Sequence, residues 1–176
     1  NDRIYQVKNV ILDYREDVNY IVSHQYTEDK YKKIPDELIR KDIVISQIHG
    51  QGVTKSRNNA MRLADGDIGL FSDDDVSYND LYFDTIIKHF AKNDTLDIAL
   101  FKIKTPDGFP EYKKNYPNHA LKLNKLPFSV GTIEIAFNIE SVKKSNIYFD
   151  ERFGAGQSLL IGSDESIFVH DGIKKG

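Results

Sequence analysis

Cysteine is absent from the 176 residues, so the chain can build neither a disulfide framework nor a thiolate metal site. Tryptophan is absent as well, and the aromatic content rests on ten Tyr and ten Phe. No apolar run approaches the roughly 18 residues that a membrane span requires. Nothing near the amino end shows the order of charged, apolar and small residues that marks a signal peptide. There is no excess of positive charge either: the net charge of -3 argues against a general nucleic-acid surface. What remains, 40% hydrophobic and 29% charged residues, suits a single globular domain able to bury a proper core.

The informative stretch is 67–76, Asp-Ile-Gly-Leu-Phe-Ser-Asp-Asp-Asp-Val. Uncharged residues 68–71 are long enough for a strand buried on both faces, and they run into Asp73, Asp74 and Asp75. In an open parallel sheet the carboxyl ends of the strands line the ligand crevice, so such a strand delivers charge to a site. Three adjacent carboxylates repel one another and need a hydrogen-bonding loop, basic neighbours or a cation to hold them. Hard ions such as Mg²⁺ or Mn²⁺ suit this donor set, because they take a few carboxylates together with phosphate oxygens and water. The plainer reading of the same residues is a polar turn that caps the next helix.

Along the chain, Ile4, Val7, Val10, Ile11 and Tyr14 recur at helical spacing. Strands are predicted at 18–22 and 42–48, with Pro35 opening a short helix between them. A helix follows at 53–64, with Ala60, Leu63 and Ala64 on its buried stripe. Its first turn holds Lys55 and Arg57, which oppose the macrodipole and so predict a bound anion there, neutralisation of the Asp73–Asp75 cluster, or both, with phosphate oxygens between them. A helix at 81–91 and a strand at 98–103 continue the alternation, which points to an α/β sheet with a substantial parallel component. Residues 105–130 break the rhythm with four of the five prolines, and a long irregular segment of that kind reads as a surface for a second ligand. A strand at 132–137, a short helix at 139–144, a Gly-broken acidic loop from 149 and a helix opened by Asp164 and Glu165 complete the pattern.

Five stretches, in this order, carry a resemblance: Gly52-Val53-Thr54-Lys55-Ser56-Arg57-Asn58, Ala64-Asp65-Gly66-Asp67, Phe71-Ser72-Asp73-Asp74-Asp75, Phe149-Asp150-Glu151-Arg152-Phe153 and Gly162-Ser163-Asp164-Glu165. Together they are similar to the inverting family 2 glycosyltransferases of the GT-A fold. That resemblance implies a Rossmann-like, mixed and mostly parallel sheet flanked by helices. It also implies transfer of a sugar, of hexosyl type, from a nucleotide-diphosphate donor to a saccharide or lipid-linked saccharide hydroxyl. Carried over by residue, Asp73 and Asp75 would hold the Mn²⁺ or Mg²⁺, while Lys55, Arg57, Asn58, Asp73 and Asp74 would face the nucleotide sugar. Asp164 would be the general base, with Glu165 as the neighbouring candidate. At a helix start these two side chains point about 100° apart, so one of them faces the acceptor. Glu134, Asp150 and Glu151 are further candidates for acceptor contact.

The resemblance also sets expectations for the whole chain. Residues 1–103 would form the nucleotide-sugar half and 104–176 the acceptor half of one domain. The sequence departs from the family pattern where the strand tip reads Ser23-His24-Gln25-Tyr26, where Ser163 precedes Asp164, and where no strand precedes Ile4. A domain lacking its first strand and its carboxyl-terminal part is therefore expected. A cytoplasmic place, peripheral on the inner face of a membrane, and a part in cell-surface polysaccharide synthesis are what such a family implies. None of the five histidines is read as a metal ligand. Two other classes stay open from the residues alone: a sugar- or nucleotide-binding domain without turnover, and a nucleotidyltransferase.

Overall fold

The computed structural model describes residues 3–111, 114–126 and 129–175. Tyr112, Lys113, Pro127 and Phe128 of the proline-rich segment lie outside the described residues.

β-Branched and aromatic residues make up most of the first two strands, β1 (Tyr20–Tyr26) and β2 (Ile43–His49). They pair in parallel, with Tyr20 opposite Ile43 and Tyr26 opposite His49. The crossover between them carries two short 3-10 turns, Asp29–Tyr31 and Asp36–Leu38, the second introduced by Pro35. The amphipathic start condenses to a 3-10 helix, Arg3–Asn9, shorter than the spacing to Tyr14 predicts. Its Ile4 packs with Leu38 and Ile43, a small cluster that buries one face of the parallel pair.

Helix α1 (Val53–Leu63) follows β2 and is stitched to both strands by polar side chains. Ser56 Oγ donates to the Ser23 carbonyl at 2.8 Å, and Asn59 Nδ2 donates to the hydroxyls of Ser23 and Ser46, each at 3.0 Å. The buried face of α1 is Thr54, Asn58 and Met61, whereas Leu63 is exposed. That face is turned roughly a third of the way round the helix from the stripe of Ala60, Leu63 and Ala64, because a polar pair, Thr54 and Asn58, is what the neighbouring loop requires.

The second sheet has the order β3 (Ile68–Leu70), β5 (Ile135–Asn138), β4 (Ile98–Leu100), with β5 central. Both of its ladders are antiparallel. The strand expected to sit in a parallel sheet thus pairs with β5 instead, and the fold is a mixed α/β arrangement with its parallel ladder in β1 and β2. Gly69 stands opposite Phe137, and a Cβ there would meet the ring at 2.4 Å, so the ring packs directly on the backbone.

Alternation along β5 divides the core. Ile135 and Phe137 face a large cluster with Met61, Phe71, Val142, Phe149 and Phe168, while Ala136 faces Ile86 and Phe90. Those last two belong to α2 (Asp80–Ala91), whose amino end is capped by Asn79 Oδ1 accepting from the Tyr82 N–H at 3.2 Å. Helix α3 (Ile139–Lys144) is capped in the same way by Asn138 on the Ser141 N–H at 2.8 Å. Helix α4 (Asp164–Lys175) sends Phe168 and Val169 into the large cluster. Phe149 and Phe168 stack with ring centroids 4.7 Å apart, and Phe71 meets both rings edge-on. This aromatic block fixes the amino end of α4 against the carboxyl end of β3, which brings Asp164 to the Asp cluster.

Candidate active site

Arg57 is the centre of the site. Its guanidinium lies 5.3 Å from the Phe149 ring centroid, a cation–π contact that holds it over the aromatic block. Nη1 donates to Asp164 Oδ2 at 2.5 Å and to Glu165 Oε1 at 3.4 Å, and Nη2 lies 3.8 Å from Asp73 Oδ1. One cation therefore joins residues from α1, from the turn after β3 and from the first turn of α4. Arg57 thus offsets carboxylates, as one of the two compatible readings of the basic first turn of α1 expects. The Val53 N–H, at the start of the helix, is taken by the Ala155 carbonyl at 2.9 Å, and Thr54 Oγ1 donates to the Phe153 carbonyl. Lys55 stays exposed on the same turn.

Burial pushes the Asp73 carboxyl above the usual range, and the charges of Asp75, Asp74 and Glu165 add to this against the pull of Arg57. Asp164, 3% exposed, is raised for the same leading reason and by Glu165 beside it, again opposed by Arg57. Its backbone is fixed by Ser163, which takes a left-handed φ of 69° at the helix start. Glu165 Oε1 also accepts from Thr132 Oγ1 at 2.5 Å.

The three aspartates divide their directions. Asp73 faces Arg57, Asp74 pairs with Arg3 at 3.1 Å, and Asp74 and Asp75 both line a cleft of about 850 Å³ with Tyr78, Tyr82, Phe101 and Ile133. Among the described residues no three Asp, Glu or His side chains converge as a ready metal cage. The donor set still fits a hard cation, since such an ion takes one or two carboxylates and completes its shell with phosphate and water.

Other predicted residues have different tasks. Asn58, 2% exposed, accepts from the Phe149 N–H at 2.9 Å and donates to the Phe149 carbonyl and to Glu151 Oε1. Its amide is committed to the 149–151 loop, which it clamps. Asp150 is held at about 2 by the Arg152 guanidinium, which donates to both of its oxygens. Glu134, an acceptor candidate in the sequence, is 1% exposed and accepts from Lys114 Nζ at 2.5 Å, Tyr116 Oη and the Gly131 N–H. Thr132 was missed altogether, because a lone threonine before an apolar strand carries no motif.

The fold and this arrangement define a mixed α/β domain with an acidic site where the strand after α1 ends. A family comparison agrees: the profile of glycosyl transferase family 2 matches residues 3–153, and the chain belongs to that family. Membership sets the nucleotidyltransferase reading aside. Among solved structures the chain is similar to residues 1–349 of S. aureus TarS, at 16% identity and a TM-score of 0.56, over 98% of this chain and 50% of that one. The same protein in complex with UDP gives 16% identity and a TM-score of 0.60, over 95% of this chain and 51% of that one. In complex with UDP-GlcNAc it gives 18% identity and a TM-score of 0.58, over 96% and 48%. At this identity the likeness shows the GT-A-like fold, and the chain spans about half the length of the structures it matches. None of the curated proteins compared with the chain matches it. No helix among the described residues is long and apolar enough to cross a membrane.

Proposed function

We propose that the chain is the sugar-transferring part of a metal-dependent, inverting glycosyltransferase that acts on a nucleoside diphosphate sugar. The observation that carries this reading is the single guanidinium of Arg57 shared between Asp73 and the Asp164–Glu165 pair. A donor-side carboxylate and a candidate base are thereby held in one cluster. Asp73 and Asp75 would hold Mn²⁺ or Mg²⁺, which when bound offsets the charge that grows on the leaving diphosphate. Asp164 takes the proton of the acceptor hydroxyl while that oxygen bonds to the anomeric carbon and the bond to the diphosphate oxygen breaks. Arg57, and Lys55 at the same helix start, are the cations available to the diphosphate. Residues 1–103 would serve the donor and 104–176 the acceptor. A saccharide or lipid-linked saccharide acceptor, in cell-surface polysaccharide synthesis at the inner face of a membrane, fits the family and the exposed Leu159, Leu160 and Ile161 just before Asp164.

One observation favours a second reading, a nucleotide-binding domain without turnover: Asp164 is tightly paired with Arg57 and is not free as a base. Thermal unfolding with UDP, with and without Mn²⁺, tests the donor site. Ligand at a hundredfold excess over its Kd stabilises by about 2.7 kcal/mol, which for a chain this size is roughly 5–10 °C. That shift is expected only with metal, and not in Asp75→Ala. No shift with any nucleoside diphosphate sinks both readings, and a shift without UDP release from any sugar nucleotide leaves the binding domain.

A further inference from the structure

Three side chains leave the 3-10 turn Thr132–Glu134 in three directions. Ile133 lines the cleft beside Asp74 and Asp75. Glu134 enters a closed anchor in which Lys114 Nζ reaches both of its oxygens, at 2.7 and 2.5 Å, and the Gly131 N–H donates to Oε2 at 2.6 Å. Tyr116 Oη adds a further donor to Oε1. A buried carboxylate given a cation and two more donors is matched and immobile. The turn that carries it cannot swing, and it presents Thr132 in one place.

Thr132 is 4% exposed, and its hydroxyl goes to Glu165 Oε1. The same oxygen receives Arg57 Nη1, and that nitrogen also binds Asp164. Two donors from different elements thus fix one atom of Glu165, and the position of Glu165 decides how Arg57 is shared. If Glu165 were free to turn away, Arg57 Nη1 would be left to Asp164 alone and would weaken it as a base.

We propose that Thr132 is a positioning residue of the transfer reaction: its hydroxyl keeps Glu165 against Arg57, so that the guanidinium stays divided between the two carboxylates. The proposal rests on the glycosyltransferase reading and adds to it a residue outside every motif of the sequence.

A crossed pair of substitutions tests it. Thr132→Val keeps the shape and loses the hydroxyl, whereas Thr132→Ser keeps the hydroxyl and loses the methyl. UDP release from UDP-GlcNAc with Mn²⁺ is expected to fall about tenfold or more in Thr132→Val and to stay within roughly threefold of the parent in Thr132→Ser, with the Kd for UDP unchanged in both. Equal turnover in Thr132→Val and the parent, or equal loss in both variants, overturns the proposal, since packing alone would then explain the site. A second arm needs no turnover. The cycle of Thr132→Val with Glu165→Gln in urea unfolding is expected to show a coupling of about fivefold or more in the folding constant. Additive effects show that the hydroxyl does not hold Glu165 and overturn the positioning role by themselves. Coupling in a parent chain that releases no UDP from any sugar nucleotide instead places the failure on the transfer reading, and the role falls with it.

Discussion

Two carboxylates of one chain, one buried and one half-exposed, titrate in opposite senses, and the difference separates a structural ion pair from a site. Asp42, 3% exposed, accepts two hydrogen bonds from Arg40, at 2.6 and 3.1 Å, which hold its carboxyl below the usual range. Such a group contributes stability above its unfolded value and loses it as pH falls towards the folded pKa. Asp73 is raised by burial and by its acidic neighbours. The folded chain then binds that proton more tightly than the unfolded one, so stability is full below the unfolded value of about 3.9 and declines as pH rises through the folded pKa. Without metal, Asp73→Asn is therefore expected to unfold at a higher temperature than the parent at pH 7, with the gap closing towards pH 3. With UDP and Mn²⁺ the order should invert, because the parent alone gains the ligand. An Asp73→Asn chain that melts lower than the parent at pH 7 without metal would show that Asp73 serves the fold and not a ligand.

At the scale of elements, what the sequence made legible were the segments whose pattern is local. Helix α1 with its Arg-Asn start, strand β2, the Asn-capped α2 and α3, and the opening of α4 at Asp164 all follow from periodicity and capping residues. The Asp73–Asp75 tip was legible from the strand that runs into it, whereas its place in one site with Asp164 came only through the order of five motifs, since no local pattern relates residues so far apart. Strand pairing was not legible either: 68–71 reads the same whether its neighbour runs parallel or antiparallel, and only the ladder with β5 decides. Burial of Glu134 is likewise invisible without Lys114 and Tyr116 beside it. Gly69 is the case where the sequence hid the strongest constraint. Its missing Cβ admits the Phe137 ring, which sits 3% exposed between Phe71 and Phe168. Gly69→Ala is expected to lower stability by about 1–3 kcal/mol, read as a lower urea midpoint with unchanged slope. Pairing it with Phe137→Leu should recover part of the loss. A neutral Gly69→Ala would mean that the β3–β5 ladder tolerates a separation the packing does not suggest.

At the scale of the whole molecule, the two sheets share no hydrogen-bonded strand pair among the described residues. Helix α1 joins them, with Met61 in the large cluster around β5 and Ser56 and Asn59 hydrogen-bonded to β1 and β2. The apolar cores are unequal: ten buried residues gather around β5, whereas three, Ile4, Leu38 and Ile43, gather beneath the parallel pair. A buried Leu or Ile side chain contributes about 1.5–3 kcal/mol, so the smaller cluster cannot hold its ladder as firmly as the larger one. Native-state hydrogen exchange should then resolve two opening units. Amides of β1 and β2 are expected to exchange through a sub-global opening, and those of β5 only with complete unfolding. Asn59→Ala should lower protection in β1 and β2 and leave β5 as it was, because the lost bonds reach Ser23 and Ser46 alone. Equal protection with equal urea dependence in both ladders would instead show one cooperative unit. The consequence for the site follows from where its parts are mounted. Asp73 and Asp164 are carried by β3 and α4 on the firm side, and Arg57 by the helix that bridges the two sides. An opening of the parallel pair would therefore reach the carboxylate cluster through Arg57 before it reached either aspartate.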